Sequence, residues 1–289
     1  MGTLPPYHQL RIAQLAAVFN HTTNSYKFYW FWGLLELVQE AGEDPIPLDA
    51  VLIKMVALSW HTVAYYRLSL GVQDRLGELV HRALASEVLQ ADAKVAEVEA
   101  YFWACCQAKQ PTAVQKALVK ALRNLRTYVP YRFLRPFFGQ LPKGNPEHAI
   151  AERAQAAFKV AEEAAPYKIS ASGSTHGWGR LLIIHPLWHA YLRQHYKVLQ
   201  EFGWWNLCQY LRNRNPNVPN ISAKLQPPYT VQRHLKTAKA VWKTAIEQPQ
   251  LPPLYDPYQG VPLSTKMPID HFIPWRFVLH DRLWNLAPT

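Results

Sequence analysis

From residue 8 to about residue 107 the apolar positions recur three or four apart, and Gly or Pro interrupts only between runs. That periodicity predicts a stack of helices. The strongest run follows the polar stretch His21-Thr22-Thr23-Asn24, with Ser25 as candidate N-cap for a helix carrying Tyr26, Phe28, Tyr29, Trp30, Phe31 and Trp32. These aromatics wrap the helix, as buried side chains do, whereas one exposed stripe of them would read as a stacking platform for bases. Further runs predict helices over 48–69, 72–88, 91–108 and 112–127.

Pro130 and Pro136 flank the aromatic segment 131–138, which is expected to leave the helical pattern as an extended or turn-like connector. Another helix is predicted over 146–164, and 167–172 with 180–184 reads as a short strand pair around a Gly-rich loop. A long helix over 186–213 ends at Asn215-Pro216 and Val218-Pro219, and one more helix is predicted over 231–247. Pro249, Pro252, Pro253 and Pro257 then form a linker, so the expected domains are a helical one over 1–248 and a small one over 249–289. No repeat of fixed period is visible.

Composition narrows the class. Apolar residues make up 49% of the 289 and charged residues 18%, enough apolar material for a sizeable core and no signature of disorder. Lys and Arg number 31 against 20 Asp and Glu, a formal net charge of +11 that favours a polyanionic partner, with nucleic acid as the leading candidate and ordinary basic surface as the alternative reading of the charge. Cys105, Cys106 and Cys208 form no CxxC pair and no even-numbered framework, which argues against a zinc ribbon or a disulfide scaffold and for a reducing cytoplasm. The most apolar run, 28–38, is too short to span a bilayer, so no membrane is expected.

The chemistry concentrates near the C-terminal end, in Ile269-Asp270-His271-Phe272-Ile273-Pro274-Trp275 followed by Leu283-Trp284-Asn285-Leu286. An Asp-His pair at the end of an apolar strand sets a carboxylate and an imidazole on adjacent, diverging positions. A carboxylate suits a hard divalent cation, and a neutral imidazole can take a proton from water near neutral pH. Phosphodiester cleavage needs both roles. A lone Asp-His pair is more often structural; the Ile-Pro-Trp after it and the Asn-Leu further on are what favour chemistry.

That segment resembles the first two elements of an HNH endonuclease. The preceding Tyr255-Asp256-Pro257-Tyr258-Gln259-Gly260-Val261-Pro262-Leu263 resembles the knuckle entering such a domain, without zinc cysteines. Upstream, Ser25-Tyr26-Lys27-Phe28-Tyr29-Trp30-Phe31, Tyr131-Arg132-Phe133-Leu134 and Arg214-Asn215-Pro216-Asn217-Val218-Pro219 look like segments of bacterial proteins with this C-terminal domain. The resemblance implies a mainly α chain, with a large helical domain and a small ββα-metal element. It implies Mg²⁺- or Mn²⁺-dependent cleavage of DNA in defence against foreign DNA, with Asp270 as metal ligand, His271 as general base and Asn285 as the brace of the two strands. The family pattern continues into a helix whose His or Asn supplies a second ligand. The chain stops at Thr289, so the expectation is a truncated site, weak or inert as it stands, or a ligand supplied from elsewhere.

Other positions carry weaker signals. His185 and His189, four apart, have metal-compatible spacing, but Pro186 lies between them and no carboxylate supports a site. His280 and Asp281 fall in the turn between the two strands, placed to touch substrate or, as is more common for turn residues, simply solvated. Lys116, Lys120, Arg123 and Arg126 form one basic stripe at helical spacing, and Arg233, Lys236, Lys239 and Lys243 another. Either is suited to track a phosphate backbone or to be plain solvated surface, and the second is the candidate DNA-binding set. The competing class is a non-enzymatic subunit that binds DNA or a protein partner, or forms an oligomer, with the truncated site inactive.

Overall fold

A computed structural model describes residues 4–7, 9–40, 42, 45–141, 144–160, 163–170 and 179–289. The chain divides into two compact units, Met1–Asn215 and Pro216–Thr289. The division falls ahead of the Pro-rich segment, so the helix expected over 231–247 belongs to the smaller unit and not to the helical domain over 1–248.

The larger unit runs α1 (Ile12–Ala16), α2 (Tyr26–Glu40), β1 (Ile46–Pro47), α3 (Leu48–Trp60), α4 (Arg75–Leu84), α5 (Val95–Gln107), α6 (Ala113–Leu125), α7 (Val129–Leu134), α8 (Pro146–Ala157), β2 (Tyr167–Ile169), β3 (Leu181–Ile184), α9 (Pro186–Gln194) and α10 (Tyr196–Arg214). It is mainly helical. Its centre is α2, which packs on α3, α7, α9 and α10. Phe28, Tyr29, Trp30 and Phe31 are all buried, so the aromatic run is core. Ser25 precedes α2, and its N–H donates to Asp74, whose carboxylate also caps α4 through Leu76 and Gly77. One buried carboxylate thus fixes two helix starts.

Two expectations are corrected. Segment 131–138 is helical: α7 and the 3₁₀ turn Arg135–Phe137 each place their proline in the first turn, where no intrahelical N–H is required. The helix expected over 186–213 is two helices, broken at His195. The expected strand pair forms, with β3 central and antiparallel to both β2 and β1. The Gly-rich stretch 171–178 between them, with residues 8, 161 and 162 of the expected helices, lies outside the described residues.

The smaller unit holds α11 (Lys236–Ile246), β4 (Ile269–His271), α12 (Trp275–Val278) and β5 (Leu286–Pro288). β4 and β5 pair antiparallel, with Ile269 opposite Pro288, Asp270 opposite Ala287 and His271 opposite Leu286. Ahead of them, Tyr255 bridges Pro262 around a turn in which Asp256 Oδ1 accepts from the N–H groups of Tyr258 and Gln259. Gly260 there has φ +68, a left-handed conformation that suits glycine.

Candidate functional site

Alternation along β4 buries Ile269 and His271 on one face and exposes Asp270 on the other. The buried face is covered by α11: Ala238, Ile269 and Leu286 form a small core, with Leu235, Trp242 and Met267 packed against it. Trp242 Nε1 donates to Leu286 O at 2.9 Å, tying α11 to β5. The helix on this strand pair precedes it in the chain, giving an α-β-β order where the resemblance implies β-β-α.

Just past His271 the backbone is held by Asn285, which is fully buried. Its Oδ1 accepts from Ile273 N at 2.7 Å, and its Nδ2 donates to Ile273 O at 2.9 Å. Phe272 N donates to Asn285 O at 3.0 Å. A side-chain amide carries an acceptor oxygen and a donor nitrogen side by side, which matches the N–H and C=O of one residue. Pro274 then precedes the short α12, and Leu279, at φ 51, turns the chain back.

That return delivers Asp281 to the imidazole. Asp281 Oδ1 lies 2.9 Å from His271 Nε2, with the two side chains 11% and 2% exposed, and Oδ2 accepts from His234 N at 2.5 Å. Asp281 is therefore not a solvated turn residue. Its neighbour His280 stacks edge-on against Trp284 instead. The signal missed was tertiary, because Asp281 returns to His271 across α12 and the turn after it, and no periodicity relates the two. Asp270 Oδ1 accepts from the N–H of His271 at 2.8 Å, so this carboxylate stays beside the strand while the ring lies on the other face.

The chain matches no family model, no curated protein and no solved structure.

The metal implied by the resemblance is not completed by these residues. Mg²⁺ and Mn²⁺ need several oxygen ligands, and among the described residues no group of three His, Cys, Asp or Glu side chains could hold a metal. Asp270 supplies one carboxylate on the face opposite His271. His185 and His189 are not a site either. His189 Nε2 lies 2.5 Å from Gly42 O, while His185 packs against the ring of Phe158 and is held below its usual pKa by burial.

The basic stripes differ in how free they are. In α6, Lys116 and Lys120 are exposed, whereas Arg123 and Arg126 lie 3.5 and 4.0 Å from the carboxylate of the buried Asp49. In the smaller unit Arg233, Lys236, Lys239 and Lys243 are all exposed. Arg233 lies over the Trp275 ring at 5.0 Å and Lys243 lies 3.9 Å from Glu247. Such exposed pairs contribute little to stability and leave both cations available. The three cysteines are free, and no helix among the described residues is long and apolar enough to cross a membrane.

Proposed function

We propose that the smaller unit is an HNH-type element acting on DNA phosphodiesters, with His271 as the base, Asp281 as the group that orients it and Asn285 as the brace. The observation that carries this reading is the reciprocal bonding of Asn285 to Ile273, because it fixes the backbone immediately after His271. The bracing role proposed for Asn285 rests on these two bonds. An ionised Asp281 accepts only, so the ring donates through Nε2 and keeps Nδ1 as its basic nitrogen. A base oriented by a carboxylate is the arrangement general-base chemistry uses.

Arg233, Lys236, Lys239 and Lys243 are the proposed phosphate contacts, since they are exposed and belong to the same unit as His271. Asp270 is the proposed carboxylate ligand of Mg²⁺ or Mn²⁺. Nicking of supercoiled plasmid, with and without His271→Ala, tests the assignment.

A second reading has its own support. The His271 side chain is 2% exposed and the metal set is incomplete, which favours a non-enzymatic DNA-binding or partner-binding subunit. Salt-sensitive DNA binding with no cleavage at any metal concentration is the outcome it predicts.

A further inference from the structure

The larger unit gathers three cations around one cavity. Lys27 from α2, Arg132 from α7 and Arg135 from the turn after it line a cavity of about 710 Å³, together with Asn20, Tyr128 and Glu147. This volume is within the range of about 300–1,000 Å³ in which small ligands bind. Two segments that resemble upstream parts of the bacterial HNH proteins, around Lys27 and around Arg132, meet here, although neither belongs to the unit containing His271.

The charges are unbalanced. Glu147 accepts from Arg132 Nε at 3.1 Å, and among the described residues no carboxylate pairs with Lys27 or Arg135. The Lys27 ammonium donates to Val18 O at 2.9 Å and His21 O at 3.1 Å, which leaves one of its three N–H groups unused. The Arg132 guanidinium lies 4.9 Å over the Tyr128 ring and, with Nε on Glu147, is aimed while its terminal nitrogens stay open. Burial first, then the nearby Arg135 and Arg132, push the Lys27 ammonium down to about 8. Like charges held together repel, and a bound anion would remove that repulsion.

We propose that this cavity binds a small phosphate monoester of mononucleotide size, with Lys27, Arg132 and Arg135 recognising the phosphate. Arginine forks and a lysine ammonium match phosphate oxygens, and the apolar lining of Ala17, Val129 and Ile150 offers cover for the rest of the ligand. The inference does not depend on cleavage chemistry.

Calorimetric titration of the full chain tests it, with deoxyadenosine monophosphate, deoxyadenosine and a 5′-phosphorylated hexanucleotide as probes. The monophosphate is expected to bind one to one, at least about tenfold more tightly than the nucleoside, as loss of a charge-assisted contact implies. Arg135→Gln, at an exposed position, should weaken the monophosphate by about tenfold and leave the melting temperature of the free protein unchanged. His271→Ala, in the other unit, should leave the affinity unchanged. Equal binding of nucleotide and nucleoside, affinity unaltered in Arg135→Gln, or no binding at millimolar monophosphate would overturn the proposal. Tighter binding of the hexanucleotide than of the monophosphate would also overturn it, in favour of a strand end as the ligand.

Discussion

Asp281 Oδ1 lies 2.9 Å from His271 Nε2, in a pair almost wholly withdrawn from water. The neutral ring is thereby committed to the Nε2–H tautomer, because an ionised carboxylate has no proton to give. Long-range ¹H–¹⁵N spectra of the imidazole should show that tautomer, and Asp281→Asn should weaken its dominance. Loss of this charge-assisted bond should lower the stability of the smaller unit by about 1.5–3 kcal/mol. An Nδ1–H tautomer in the wild type would contradict the pairing.

Asn285→Ala removes both partners of Ile273 at once. Each backbone group left unsatisfied in a buried setting costs about 1–3 kcal/mol, so the variant should unfold at clearly lower urea than the wild type. Asn285→Asp keeps the acceptor for Ile273 N but sets a buried carboxylate against Ile273 O, and should be no more stable than Asn285→Ala. Identical urea midpoints for all three would mean that Asn285 braces nothing.

Trp30 has no exposed surface and lies in the second turn of α2. Trp30→Ala should cost about 3–5 kcal/mol, the range for deleting a large buried aromatic. Chemical denaturation of the full chain measures this directly. A change of only a few tenths of a kcal/mol would return the aromatic run to the surface.

The two basic stripes make different predictions. Neutralising Arg233, Lys236, Lys239 and Lys243 together should weaken DNA binding and flatten its salt dependence, since each lost phosphate contact lowers the slope by roughly one. Arg123 and Arg126 face Asp49, whose side chain is 7% exposed. Removing both would strand that carboxylate and lower stability first, so the α6 stripe is better probed through Lys116 and Lys120. Filter binding over a salt series reads each set.

Sequence periodicity was enough to find α2 to α6 and α8 of the larger unit, because their apolar spacing is written locally. Thr112 is an example: it caps α6 through a reciprocal bond with Gln115, three residues on. What was not legible depended on chain reversals. Prolines 130 and 136 read as breakers, yet each sits in a first turn where it is compatible with a helix. In the candidate site, Asp270, His271 and Asn285 were visible as a motif. Asp281 was not, because its approach to His271 depends on the left-handed turn at Leu279. The helix covering the strand pair was misassigned for a similar reason: the prolines after α11 look like a boundary, while Trp242 and Ala238 bind it to β4 and β5.

The most direct test of the assignment of His271 is single-turnover nicking of supercoiled plasmid by excess protein, across a titration of Mg²⁺ and of Mn²⁺. The account predicts slow, metal-requiring conversion to nicked circles, lost in His271→Ala while DNA binding and the melting temperature are kept, and lost in Asp270→Ala as well. Undiminished nicking by His271→Ala, or bound DNA left uncut by the wild type at every metal concentration, would contradict it.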